Sequence, residues 1–132
     1  MTKIKREAID DFLAAGPYAV VGASRDRSKF GNRVLRHYAA RGRDVVGVHP
    51  TETEVEGIPC YPDLASIPTT PRAVSIVTPP FTTTRIVREA LALGIRHIWM
   101  QPGAESETAV REAEEAGANV IHGGPCVMVE MR

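Results

Sequence analysis

The sequence predicts an α/β fold, a single three-layer domain in which about five parallel strands carry helices on both faces. Short apolar runs of four or five residues, typical of strands that are covered on both sides, recur along the chain. Each run leads into a turn rich in Gly, Pro, Ser or Thr, and most turns lead into a segment with helical periodicity. Strands that are joined by crossover helices pair in parallel, so the helices should cover both faces of the sheet.

The chain begins with a segment that favours an amphipathic helix, from about Lys3 to Ala15. Its apolar residues recur at helical spacing, as Ala8 and Phe12 do, and Gly16-Pro17 ends it. We expect residues 1–16 to form an N-terminal helix that packs on the core of one domain spanning residues 1–132.

The rest of the chain alternates between strands and helices. Ser28 can cap the helix after the first strand, Thr82 or Thr83 can cap the helix after the third, and Ser106 can open the last helix. Thr51 to Pro62 is interpreted as a loop, and a short helical turn follows it around Asp63 to Ile67. The strands are expected at Tyr18–Val21, Asp44–Val48, Ala73–Val77, Arg96–Met100 and Asn119–His122.

Composition argues against several classes of function. Lys plus Arg and Asp plus Glu balance at 16 each, so net charge gives no drive toward nucleic acid or acidic membranes. No apolar run reaches the length of a membrane helix, and the N-terminus carries no signal-peptide core. The 2 cysteines match no metal-binding spacing. We therefore expect a cytoplasmic protein with no metal, no nucleic acid and no membrane partner.

The turn after the first strand is the main candidate for ligand binding. Gly22-Ala-Ser24 is small, and the loop that follows carries Arg25, Arg27 and Lys29 just before a helix begins. A strand that feeds a helix through such a turn directs free backbone amides and the helix dipole at one point, which suits a phosphate. The alternatives remain an ordinary strand–helix turn and a solvated basic loop, because the full dinucleotide fingerprint is absent.

The end of the second strand bears on the kind of nucleotide. Many NAD sites have Asp or Glu there to bind the ribose hydroxyls, whereas this chain has His49-Pro50. A histidine near basic residues tolerates a phosphate on that ribose, as in NADP or coenzyme A (CoA), but for His49 alone a solvated histidine at the rim is the favoured interpretation. Thr78-Pro79-Pro80-Phe81 is a stiff apolar edge that suits an adenine ring, or simply the start of a helix.

Taken in order, four segments resemble the CoA-binding domain family, small Rossmann-like proteins similar to the N-terminal domain of the succinyl-CoA synthetase alpha subunit. They are Gly22-Ala-Ser24, His49-Pro50, Val77-Thr-Pro-Pro-Phe81 and Trp99-Met-Gln-Pro-Gly103, and the resemblance runs from about Tyr18 to Arg132. Two departures are the lack of a lysine after the second strand and Gln101 in place of a glutamate.

The resemblance implies a role for each segment. The Gly22-Ala-Ser24 segment would hold the diphosphate, with Lys29 nearby, and His49-Pro50 would lie near the adenosine. The segment that begins at Val77 would line the adenine and ribose, and the segment that contains Met100 would border the pantetheine near Cys126. The implied CoA-binding residues are Gly22, Ala23, Ser24, Arg25, Lys29, His49, Pro50, Val77, Thr78, Pro79, Pro80, Met100, Gln101, Pro102 and Cys126.

Catalytic residues are not evident from the spacing of side chains, since no Ser-His-acid set or carboxylate pair emerges. The synthetase reaction also needs a phosphorylated histidine from a second domain and a nucleotide-binding partner, and this sequence offers neither. The favoured function is therefore a small non-catalytic protein that binds CoA or acyl-CoA. The alternatives are an NAD(P)-binding redox or regulatory domain, with NADP as its cofactor, and an acyl-CoA-using enzyme in which His122 or Cys126 takes part. A homodimer or an unidentified protein partner stays open.

Overall fold

The computed structural model describes residues 5–132. Within that range the chain forms one seven-stranded sheet and five α-helices. The helices are α1 (Lys5–Leu13), α2 (Phe30–Ala40), α3 (Pro80–Ala92), α4 (Glu107–Glu115) and α5 (Val127–Glu130), and a 3₁₀ turn covers Leu64–Ser66. The strands are β1 (Tyr18–Val21), β2 (Val45–Val48), β3 (Glu54–Val55), β4 (Ile58–Tyr61), β5 (Ala73–Ile76), β6 (His97–Met100) and β7 (Asn119–Ile121).

The order of the strands creates a crevice at the centre of the sheet. The strands lie in the order β3-β4-β2-β1-β5-β6-β7, and every neighbouring pair is parallel except β3 with β4. From β1 the chain moves outward through β2 to β4, then returns to β5 on the other side of β1. The strand order therefore reverses between β1 and β5, and in open α/β sheets ligands bind beyond the carboxyl ends at such a switch point.

Two separate apolar cores lie on the two faces of the sheet. Along β1, Tyr18 and Val20 belong to one core, while Ala19 and Val21 belong to the other. Helices α1, α2 and α5 contribute to the first core, and α3, α4 and the 3₁₀ turn contribute to the second. Because successive strand residues point to opposite faces, strands that are apolar throughout are buried on both sides. The predicted three-layer α/β arrangement is confirmed.

Helix α1 is held by an aromatic cluster on the first face. The Phe12 ring meets the Trp99 ring edge-on, with centroids 5.1 Å apart, and the rings of Tyr18 and Tyr38 lie 5.0 Å apart. The side-chain amide of Asn119 on β7 also donates to the backbone carbonyl of Ala8, at 2.9 Å. These contacts fix α1 beside β6 and β7. The predicted start of this helix, before Lys5, lies outside the described residues.

The predicted number of five strands is wrong, because the Thr51–Pro62 segment is not a loop. It contains a hairpin in which Glu54 lies opposite Pro59, and Val55 lies opposite Ile58. Glu56 and Gly57 form its two-residue turn, both with positive φ (55° and 79°). Proline and glycine normally indicate breaks in secondary structure. Here burial of Val55 and Ile58 in the first core favours strands instead.

Two of the three predicted helix caps are also wrong. Helix α2 begins directly after Lys29, and the Ser28 hydroxyl donates to the Asp26 carboxylate instead of capping the helix. Helix α3 begins one turn earlier than expected, behind Pro79, so Thr82 and Thr83 lie inside it. Ser106 does cap α4, by accepting a hydrogen bond from the Ala109 amide at 3.2 Å. Proline at the first helical position needs no amide partner, which allows the early start of α3.

Candidate functional site

Two glycines bring helix α2 against the end of β1. Gly22 has φ +102°, and a β-carbon there would lie 2.1 Å from the carbonyl oxygen of Val77, just past β5. A β-carbon on Gly31, in the first turn of α2, would lie 1.9 Å from the carbonyl oxygen of Gly22. Only glycine fits at either position, because no side chain can occupy such distances. Gly31 was not predicted as a site residue, although its place nine residues after Gly22 was a usable signal.

Helix α2, on one side of this contact, begins with open amides. Helix α3, on the other side, begins with a proline that has no N–H group, and the Thr82 amide donates to the Pro79 carbonyl at 2.9 Å. No side chain among residues 5–132 caps α2 at Lys29 or α3 at Pro79. The first amides of a helix have no partner within the helix, and they carry the positive end of its dipole. The β1–β5 switch point is thus flanked by two helix N-termini. Such an arrangement favours an anionic ligand.

The β1–α2 loop, residues 22–29, is organised by its own hydroxyl and carboxylate groups. The Ser24 hydroxyl oxygen accepts from the Asp26 amide at 3.1 Å. The Asp26 carboxylate accepts from the Ser28 amide at 2.9 Å and from the Ser28 hydroxyl at 2.6 Å. The Ser28 hydroxyl and amide lower the pKa of Asp26, because both stabilise the carboxylate. These hydrogen bonds order the loop from within.

A buried asparagine joins this loop to the β3–β4 hairpin, and sequence reasoning missed it. Asn32 is fully buried in the first turn of α2. Its amide nitrogen donates to the Ser24 carbonyl at 2.8 Å and to the Glu56 carboxylate at 3.2 Å, while its oxygen accepts from Arg36 Nε at 2.7 Å. A buried amide with all these partners positions the chains around it. Asn32 thus fixes Ser24 at the mouth of the crevice.

The predicted cations of the loop reach solvent. Arg25 is exposed, and its Nε lies 3.6 Å from a carboxylate oxygen of Glu52. Arg27 is also exposed, with its Nε 3.3 Å from a carboxylate oxygen of Glu56. Lys29 is exposed at the N-cap position of α2. The guanidinium groups are within reach of a ligand, but each already has an anionic partner.

At the end of β2, His49 organises its own turn. Its Nδ1 accepts from the Thr51 amide at 3.1 Å and from the Glu52 amide at 3.0 Å. An Nδ1 that accepts places the proton of a neutral ring on Nε2, which then serves as a donor. His49 is half-buried and Pro50 is exposed. The histidine therefore offers one N–H group at the rim, where sequence reasoning placed the adenosine end.

The segment after β5 forms the other wall of the crevice. Val77 and Thr78 are half-buried, whereas Pro79 and Pro80 are exposed. The Thr78 hydroxyl lies 2.8 Å from the hydroxyl of Thr83 inside α3, which holds the segment against that helix. Phe81 follows with 82% of its surface exposed. The segment forms an apolar, stiff edge and the start of α3, and its contact with an adenine ring stays a prediction.

Beyond β6, the predicted pantetheine residues divide into buried and exposed groups. The side chain of Met100 is fully buried in the second core, and Pro102 is exposed. Gln101 is fully buried too, with its oxygen accepting from the Val127 amide at 2.9 Å and its nitrogen donating to Ser75 Oγ at 3.4 Å. The Gln101 side chain therefore caps α5 from inside the domain.

The Gln101 contact continues into a buried polar chain. The Ser75 hydroxyl lies 2.6 Å from the phenol oxygen of Tyr38 on α2. Burial raises the pKa of Tyr38, so this phenol stays protonated. Its hydroxyl is thus available as a donor within the chain. These contacts connect α2, β5, β6 and α5 beneath the crevice.

The two residues named for an enzymatic alternative lie at the β7 end of the rim. His122 and Cys126 are both half-buried, and Cys126 immediately precedes α5. Within residues 5–132, no carboxylate or imidazole forms a hydrogen bond to the Cys126 thiol. The other thiol, Cys60, is buried, and burial raises its pKa. Reactive thiols need a lowered pKa and access to solvent, so Cys60 is expected to be inert.

Other features of residues 5–132 lie away from this rim. A cavity of about 180 Å³ opens near the amino ends of β1, β2 and β5, between Pro17, Asp44 and Pro71. Among the described residues, no group of three or more His, Cys, Asp or Glu side chains could hold a metal ion. None of the described helices has the length and apolar character that crossing a membrane requires. The crevice at the β1–β5 switch point is therefore the site on which most predicted residues converge.

Comparisons with known proteins bear on the family of this chain. Residues 17–132 match the family described as CoA binding domain. An acetate–CoA ligase (ADP-forming) I from Archaeoglobus fulgidus is 34% identical over 113 residues, which are 78% of this chain and 16% of the ligase. A conserved hypothetical protein from Pyrococcus furiosus has a similar structure, with a TM-score of 0.80 and 37% identity over 86% of this chain and 97% of that one.

A longer enzyme shares the same fold in part. The apo form of a dinucleotide-forming acetyl-coenzyme A synthetase 1 from Korarchaeum cryptofilum aligns with a TM-score of 0.71 and 26% identity. The alignment covers 83% of this chain and 26% of the synthetase. The chain thus corresponds to a minor part of both named enzymes. Because the family match extends over residues 17–132, the chain belongs to the CoA-binding domain family.

Proposed function

We propose that this chain binds CoA or an acyl-CoA across the carboxyl ends of β1, β2, β5 and β6, and that it has no catalytic activity of its own. The observation that carries the proposal is the contact of Gly31 with Gly22, which sets the uncapped amides of α2 at the switch point. Main-chain amides at a helix N-terminus are well suited to a diphosphate. Family membership adds the choice of CoA, and it gives the NADP alternative no support.

The exposed cations of the β1–α2 loop would also attract the ligand's phosphates. Arg25 and Lys29 lie beside the open amides, where they favour a ligand with several negative charges. The stiff segment Val77–Pro80 flanks the same crevice and suits the adenine ring, and His49 offers an N–H group at the rim. In this proposal the pantetheine arm leaves past Pro102 toward Cys126.

The absence of catalysis is proposed from the chemistry of the rim. His122 and Cys126 are half-buried, and among the described residues neither shows the base–nucleophile contact that covalent catalysis uses. The chain would then carry, sense or present its ligand. The activities in the names of the longer relatives belong to those enzymes.

A thermal-shift comparison tests the binding part of the proposal. CoA, acetyl-CoA, dephospho-CoA, NAD and NADP are added at equal concentration, and CoA or acetyl-CoA should stabilise the protein most. A ligand at a hundred times its dissociation constant adds about 2.7 kcal/mol of stability. Stabilisation by NAD or NADP alone would contradict the proposal.

A matched pair of arginine variants tests the location of the site. Arg25→Ala should weaken CoA binding, because it removes an exposed cation from the loop. Arg111→Ala is the control, since Arg111 is also exposed and pairs with a glutamate, Glu115, but lies on α4. Equal effects on CoA affinity would argue against the loop as the phosphate site. A separate assay measures the release of free thiol from acetyl-CoA. If the wild-type protein released thiol, and His122→Ala or Cys126→Ala abolished the release, the proposed lack of catalytic activity would be contradicted.

A further inference from the structure

The β3–β4 hairpin brings negative charge to the loop that should bind phosphate. Glu52, just before the hairpin, and Glu56, in its turn, approach Arg25 and Arg27 at 3.6 and 3.3 Å. Both carboxylates are half-buried, with 27% and 25% of their side chains exposed, while the arginines are largely exposed. The glutamates are therefore the more buried partners of the two ion pairs, and the arginines are the more exposed ones.

The position of Glu56 is determined on three sides. It occupies a left-handed conformation, φ 55°, which is unfavourable for a residue with a side chain. Its carboxylate accepts from the buried amide of Asn32, at 3.2 Å. The neighbouring Val55 is buried in the first core and anchors the hairpin. The turn conformation, the Asn32 contact and the buried Val55 together keep the Glu56 carboxylate near Arg27.

Glu52 is held by the turn that follows β2. Its amide donates to Nδ1 of His49, at 3.0 Å, and the Thr51 amide donates to the same atom, at 3.1 Å. The turn at the end of β2 is thus closed by an imidazole. It directs Glu52 toward Arg25 across the mouth of the β1–α2 loop.

From this geometry we infer that Glu52 and Glu56 are built-in competitors of the ligand's phosphates. At these distances each carboxylate offsets part of the guanidinium charge that would attract a phosphate. Ligand phosphate therefore binds by replacing carboxylate on Arg25 and Arg27, and a ligand with more phosphate charge replaces it more effectively. The inference rests on the proposed function, and it identifies the two glutamates as determinants of affinity and specificity at that site.

The chain offers a matched set of variants for a test by titration calorimetry of the whole protein. Glu52→Gln with Glu56→Gln removes both charges but keeps an oxygen that can accept from Asn32. Glu54→Gln is the control, because Glu54 is exposed on the same hairpin and pairs with neither arginine among the described residues. CoA and dephospho-CoA, which differ by one phosphate, are titrated into each protein.

The double variant should bind CoA roughly threefold to tenfold more tightly, which is the range that two exposed ion pairs can supply. The gain should be smaller for dephospho-CoA, and Glu54→Gln should stay within about twofold of wild type. An equal gain in Glu54→Gln, or weaker CoA binding by the double variant, would overturn the inference while leaving the proposed function in place. If no protein in the set binds CoA, both are overturned.

Discussion

The helices at the two ends of the carboxyl rim begin in different ways. Near the β1–β5 switch point, α2 and α3 start behind Lys29 and Pro79 with no side-chain cap from residues 5–132. Toward β6 and β7, α4 starts behind Ser106, whose hydroxyl accepts from the Ala109 amide. Helix α5 starts with its Val127 amide bonded to the side chain of Gln101.

At one end of the rim, the helix amides are hydrogen-bonded to side chains and stabilise the fold. At the other end, the helix amides have no such partner and can bind a ligand. A capped helix end satisfies its own donors, and its contribution can be measured as folding stability alone. An uncapped end next to a glycine contact keeps its donors open, which costs stability unless an anion binds there. Four substitutions, in order of decreasing expected effect, test whether the rim is divided in this way.

The largest effect is expected at the glycine contact. In Gly31→Ala the new methyl group would meet the Gly22 carbonyl, so α2 must move away from β1. Overpacking of this kind costs about 3 kcal/mol. Urea unfolding should show this loss, and CoA affinity should fall with it because the α2 amides move. Gly42→Ala is the control, since open space surrounds Gly42 and its positive φ alone costs about 1 kcal/mol. Equal losses in the two variants would show that the contact is not tight.

The second substitution opens the end of α5. Gln101→Met keeps the volume of the buried side chain but leaves the Val127 amide and Ser75 without this partner. An unsatisfied buried donor costs about 2 kcal/mol. Hydrogen exchange should become faster at Val127 and through α5, while Pro102→Ala, at the exposed neighbour, should change it little. Unchanged exchange at Val127 would indicate that Gln101 is not the cap.

The third substitution compares a serine that caps a helix with one that does not. Ser106→Ala removes the cap of α4 and should cost about 1 kcal/mol of stability. Ser28→Ala should cost less than about 0.5 kcal/mol, because the Ser28 hydroxyl only bonds to Asp26 on the surface. Thermal unfolding measures both. Ser106→Ala should leave CoA affinity unchanged, and a loss of affinity there would contradict the division of the rim.

The smallest effect on stability is expected when α2 is given the cap that it lacks. Lys29 has extended backbone angles, φ −80° and ψ 146°, which suit a capping residue. Lys29→Ser should therefore raise stability by about 0.5 kcal/mol, while it occupies an amide that a phosphate needs. Lys29→Ala controls for the lost charge. CoA affinity should be weaker in Lys29→Ser than in Lys29→Ala, and the reverse order would show that these amides do not bind the ligand.

The parts of the fold that the sequence predicted are those that rest on local pattern. Apolar runs located strands such as Tyr18–Val21 within one residue at each end, because both faces of the sheet are buried. Ser106 was identifiable as a cap from its place before an acidic first turn. The β3–β4 hairpin was not predictable in this way, since β3 is only two residues long, Gly57 lies in the turn and Pro59 lies inside β4.

The parts of the site that the sequence missed depend on contacts between distant segments. Gly31 matters because it meets Gly22, and Asn32 because it reaches Glu56, 24 residues away. The direction of the Gln101 side chain follows from Val127, which is 26 residues further on. The predicted binding of CoA by His49, Thr78 or Cys126 stays a prediction, because their positions at the rim are known while their ligand contacts are not tested.

The way the sheet terminates has a consequence for self-association. An open strand edge is a template for adding another chain, and short strands, charges and proline are the usual protection against it. On one side the outermost strand, β3, is two residues long, and Glu54 lies opposite Pro59 beside it. On the other side, the outermost strand, β7, is three residues long, and the side-chain amide of Asn119 ties its first residue to the Ala8 carbonyl of α1. Short strands at both borders disfavour growth of the sheet into a fibre or a strand-exchanged pair, so we expect two copies to meet through helical surfaces.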